Sequence, residues 1–140
     1  MPRVQCAFTL MFILLGNFHH VFQAPDTKRE AQEVPSRIVG VWRGHSECAV
    51  KNSPCHDEVN VYRFAKIEGR PNAFSVTASK IVDAKEVVMG SSEWKYDENK
   101  HVLECERPSI RLTVTADKME GALTLEDGTV YRRIYLKKES

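Results

Sequence analysis

Ser109-Ile-Arg-Leu-Thr-Val-Thr-Ala116 alternates without a break. Ile110, Leu112, Val114 and Ala116 fall on one side, and Arg111, Thr113 and Thr115 on the other. Successive side chains of an extended chain point to opposite faces, so period two predicts a strand with one buried and one wet face. An amphipathic helix would group its apolar residues at i, i+3, i+4 and i+7, which strict alternation does not do.

The same period spreads outward in both directions. Downstream, Asp117-Lys118 turns and Met119 to Leu125 returns. Asp127-Gly128 is a strong hairpin signal, and Val130 to Leu136 closes the chain with Val130, Ile134 and Leu136 on one side. Upstream, His101 to Glu106 is short and ends at Arg107-Pro108. Asp97 to Lys100 is a turn by composition. Glu86 to Tyr96 carries Gly90, which marks a bulge or a close backbone approach. Asp83 to Lys85 is read as a hairpin turn. Ala73 to Val82 is led by Phe74, Val76 and Ala78, and Glu68 to Asn72 is the turn before it. In Asp57 to Ile67 one face carries Val59, Val61, Ala65 and Ile67, while Tyr62 and Phe64 lie on the other. Ile38 to Glu47 is the first strand.

Eight strands joined by short turns predict an all-β protein, an eight-stranded antiparallel up-and-down barrel. Closure removes exposed edges, and an interior of this strand number is just wide enough for side chains or one small ligand. A two-sheet β-sandwich is the alternative. The uniformly short turns, without a long crossover, favour the barrel.

The chain has 140 residues, and its start reads differently from the rest. Arg3 precedes an apolar run of nine residues, Ala7 to Leu15, broken only by Thr9. A bilayer span needs about 20 residues, so residues 1–24 are read as a signal peptide ending at Ala24. Residues 25–36 are a polar linker and residues 37–138 the barrel domain. The expected location is secreted or periplasmic, with no membrane span in the mature chain. Cys6 leaves with the signal, and Cys48, Cys55 and Cys105 remain. The segment between Cys48 and Cys55 holds turn residues, which favours that pair as a disulfide. In the chain-entropy model so short a loop contributes about 2–3 kcal/mol. Cys105 reads as a free buried thiol; its pairing with Cys48 or Cys55 is the alternative.

Net charge is +1, with both signs mixed along the chain. There is no basic stripe, so no nucleic-acid partner is expected. The sequence lacks a phosphate-cradling glycine loop, Gly-x-Ser-x-Gly, His-Glu-x-x-His and an acidic calcium loop. No catalysis and no cofactor are therefore expected. His45, Cys48, Cys55 and His56 have the residue types of a zinc site, but an oxidised cysteine pair is no ligand, and no metal is expected. Cys55-His56 and Asp57-Glu58 are neighbours whose side chains diverge on a strand. Glu104 and Glu106 share a face, read as solvated.

Gly40-x-Trp42 on the first strand, with Arg132 or Arg133 on the last, resembles the calycins: lipocalins, avidins and small bacterial relatives. The resemblance implies that Trp42 closes one end of the barrel and that the late arginine packs over its ring, a contact of about 0.5–2 kcal/mol. Gly40 to Leu136 is also similar to small exported bacterial proteins that share a cysteine loop followed by a strand like Asp57 to Phe64. The expected function is non-catalytic binding of a small apolar or amphipathic ligand. Trp94, Tyr96 and Phe74 are the expected binding wall, with Arg111 as its arginine. The alternative is a module with a protein partner, such as a protease inhibitor or an envelope-associated factor, working through Lys28 to Ile38 or the loops.

Overall fold

The computed structural model describes residues 36–140. The expected signal peptide and nearly all of the expected linker lie outside the described residues. Eight strands follow in order: β1 (Gly40–Cys48), β2 (Glu58–Ile67), β3 (Arg70–Val82), β4 (Lys85–Asp97), β5 (Val102–Cys105), β6 (Ser109–Val114), β7 (Lys118–Thr124) and β8 (Val130–Lys138). Each pairs antiparallel with its sequence neighbours, and β8 returns to β1, so the sheet is a closed barrel and not a sandwich. On β6 the alternation is kept: Ile110 and Leu112 are buried, and Arg111 and Thr113 exposed.

Closing eight strands requires sharp coiling, which bulges and glycine kinks supply. At Gly44 an added Cβ would lie 1.8 Å from the Tyr135 carbonyl oxygen, and at Gly121 1.9 Å from that of Arg111. A side chain at either position would force the neighbouring strand, which passes through the space, to shift. The register shifts between Ala78 and Ser79 on β3, which face Gly90 and Val88, so Met89 is the extra residue. The bulge read from Gly90 is thus one residue away. Two turns are tighter than their composition suggested. Arg70 already pairs with Ile67 in the β2–β3 hairpin. Asp83 and Ala84 both take left-handed φ values, 49° and 62°, in a two-residue β3–β4 turn.

Alternation in β2 left open which face is interior, and the structure turns the Tyr62 and Phe64 face inward. Asn60, Tyr62 and Phe64 point inward, and Val59 is 45% exposed. Both faces of this strand are apolar, and the bulkier aromatic set fills the barrel. Tyr62, Phe64, Phe74 and Trp94 meet edge-on, with ring centroids 5.8–6.5 Å apart.

Trp42 seals one end. It is fully buried, and its indole Nε1–H donates to the Ile38 carbonyl at 2.8 Å. Residues 36–38 form a helical turn that brings Ile38 over this end. The cation on the ring is Lys138, with Nζ 5.8 Å from the centroid, and neither Arg132 nor Arg133. Register explains the correction. Trp42 pairs with Lys138, whereas Arg132 pairs with Cys48, six residues along β1 and about 20 Å away at the rise of a strand. Arg133 faces outward. The Cys48–Cys55 disulfide is formed, and Cys105 is buried and free. The outer wall carries cross-strand ion pairs, among them Arg63–Glu86, Arg70–Glu93 and Arg111–Glu104. No helix of the described residues is long and apolar enough to cross a membrane.

Candidate functional site: a cavity at the open end

The β1–β2, β3–β4, β5–β6 and β7–β8 connections all lie at the end opposite the Trp42 seal. Here the interior positions are small or polar and leave a cavity of about 260 Å³. β1, β2 and β8 supply its polar wall: Ser46, Glu58, Asn60 and Arg132. Trp94, Ile110, Leu123 and Ile134 supply the apolar wall. The opening runs partly down the side. β4 pairs with β5 only from Lys95 to Asp97, so Gly90 to Ser92 face Arg107-Pro108 across a gap.

The polar wall is buried and charged. Ser46 and Asn60 are each 2% exposed, and the side chains of Glu58 and Arg132 12% and 14%. Arg132 Nη1 donates to Ser46 Oγ and to the His56 carbonyl, both at 3.0 Å, and lies 3.5 Å from Glu58 Oε2. Lys80 Nζ donates to Glu58 Oε1 at 3.3 Å. Two cations therefore share one carboxylate, and the wall keeps an excess positive charge. Asn60 Oδ1 is buried with no hydrogen-bond partner among the described residues. An acceptor left so costs about 1–3 kcal/mol. Tyr62 is deeper on the same face of β2. Burial pushes its hydroxyl up to about 12, with nearby Arg132 opposing the shift, so it is a neutral donor at physiological pH.

Of the residues expected to bind ligand, the structure puts Trp94 in the cavity wall. Its Nε1–H donates to Ser92 Oγ at 2.9 Å, which fixes the ring. Tyr96 shares the face of Trp94, as expected, but lies two residues toward the sealed end, where its hydroxyl is 3.2 Å from His101 Nδ1. Phe74 is wholly buried against Phe64 and does not reach the cavity. Arg111 is on the outer wall, 2.9 Å from Glu104, as its own alternation required. Arg132 takes the inward place. The signal was in β8, where Arg132, Ile134 and Leu136 are even-numbered and share a face, whereas the register shift beside Thr124 separates Val130 from them. Ser46, likewise, has the parity of Trp42 and Gly44.

His45 stacks on Tyr135 outside the barrel, with centroids 5.1 Å apart. Among the described residues no three His, Cys, Asp or Glu side chains are grouped to hold a metal. Glu104 and Glu106 are exposed and pair with Arg111 and Lys95.

No family model and no curated protein sequence matches the chain. Among solved structures it is similar to a redesigned β-barrel, b11L5F_LGL, at 14% identity and a TM-score of 0.54, covering 76% of this chain and 95% of that one. Likeness at that identity establishes the class of protein by fold alone: a small closed β-barrel.

Proposed function

We propose that this is an exported, non-catalytic barrel that binds a small amphipathic molecule in its open-end cavity. The observation that carries the reading is the division of that cavity into an apolar wall and a polar wall whose buried Asn60 acceptor has no partner. Small-molecule sites are concave, largely apolar and furnished with a few convergent polar groups. At 260 Å³ the space suits a molecule smaller than a typical drug. The Gly40-x-Trp42 pair sits at the sealed end, which supports placing the chain beside the calycin carriers; Lys138 in place of an arginine is its departure from them. The apolar run at residues 7–15 and the Cys48–Cys55 bridge support an oxidising compartment, secreted or periplasmic.

Calorimetric titration with 1-octanol and with octanoate tests this. One-to-one binding of at least one of them is expected. Ala78→Phe, which fills the cavity beside the open position of Gly90, is expected to abolish it. Absence of heat with both probes, or unchanged binding by the Ala78→Phe barrel, contradicts the reading.

A further inference from the structure

The polar wall is built to choose among amphiphiles. We propose, resting on the binding reading above, that the ligand is a hydroxylated carboxylate: an amphiphile with an oxyanion on Arg132 and, beside it, a hydroxyl donating to Asn60 Oδ1.

The charge argument comes first. Glu58 neutralises one of its two cations, Arg132 and Lys80, and Arg107 at the mouth adds a further positive charge. A guanidinium does not lose its proton, so the excess persists at any working pH. The hydrogen-bond accounting agrees. The hydrogen bonds that Arg132 donates run through Nη1, which leaves Nη2 and Nε without a hydrogen-bond partner among the described residues. Those donors suit a carboxylate, which guanidinium groups hold through paired N–H bonds. The Tyr62 hydroxyl, lining the same cavity, is a further neutral donor.

Asn60 adds what an anion alone does not satisfy. Its Oδ1 only accepts, and a carboxylate has no proton to give it. Asn60 lies two residues from Glu58 on the same inward face of β2, about 7 Å along the strand. Arg132 and Asn60 line the same cavity of about 260 Å³, so a small ligand that meets both carries its hydroxyl within a few carbons of its carboxylate. The remaining hydrocarbon lies against Trp94, Ile110, Leu123 and Ile134.

The test is calorimetry with three probes of one chain length: 3-hydroxyoctanoate, octanoate and 1-octanol. The wild-type barrel is expected to bind octanoate about tenfold or more tightly than octanol, and the hydroxy acid about threefold or more tightly than octanoate. Arg132→Met should bring both acids to the octanol level, and Asn60→Leu should erase only the preference for the hydroxyl. If a variant does not fold, the wild-type order decides alone. Octanol binding as tightly as the acids overturns this inference and leaves the binding reading standing. Equal affinity for the two acids overturns the role of Asn60. Failure of all three to bind overturns the binding reading itself.

Discussion

The two ends of this barrel share the same eight strands and differ in what the strands point inward. At the sealed end Trp42, Phe64, Leu112, Met119 and Leu136 close the interior, and the buried polar atom of Trp42 is satisfied by Ile38. At the open end the same strands present Ser46, Glu58, Asn60, Ala78 and Arg132, and an acceptor is left unpartnered. The contrast teaches where each half contributes. One end supplies apolar burial and a fixed register, which together hold the other end in a conformation that local energetics alone do not favour. Departures from local consistency of this kind are expected where a protein works.

Replacing each tryptophan in turn sharpens the comparison most. Trp42→Ala removes a fully packed ring and is expected to cost about 3–5 kcal/mol in denaturant melts. Trp94→Ala should cost less, because part of that ring already borders open space. Equal losses would break the distinction between the ends. The second test uses alkali. The fold favours the protonated Tyr62 hydroxyl, which the unfolded chain gives up near 10 and the folded chain only near about 12. Stability from this source is complete below pH 10 and is lost as pH rises to about 12. A two-unit shift is worth about 3 kcal/mol. Thermal melts across that range should fall steeply in wild type and less steeply in Tyr62→Phe. Third, Gly121→Ala forces a Cβ to within 1.9 Å of the Arg111 carbonyl oxygen and is expected to cost about 1–3 kcal/mol, read as a lower melting midpoint. Last, Asn60→Leu removes the unpartnered acceptor and should leave stability unchanged or raise it by about 1 kcal/mol. A clear loss of stability there would mean that Asn60 serves the fold and not a ligand.

Much of the barrel was legible because most strands have one wet face. On β6 to β8 the charged and hydroxyl side chains mark the outside so plainly that strand, face and turn follow from period two. β2 was not legible in this way. Val59 and Val61 compete with Tyr62 and Phe64, and alternation between two apolar sets does not say which fills the barrel; volume decided it. The site was less legible than the fold for a related reason. Period two separates inside from outside but says nothing of depth. Phe74, Trp94 and Tyr96 all point inward, yet only Trp94 reaches the cavity, because depth is set by register across strands far apart in sequence. Register also moved the cation over Trp42 from an arginine to Lys138. Arg132 was recoverable from the parity of Ile134 and Leu136. Its contacts with Ser46 and Glu58 were not, since no local pattern joins β1, β2 and β8.

The two tryptophans, one at each end, permit the most direct test of the account. Octanoate is titrated into two single-tryptophan barrels while indole emission is followed. With Trp42→Phe the remaining Trp94 borders the cavity, and its emission should shift and saturate. With Trp94→Phe the remaining Trp42 is sealed behind Ile38, and its emission should stay unchanged. A saturable change at Trp42, or none at Trp94, would contradict a barrel that is closed at one end and receives its ligand at the other.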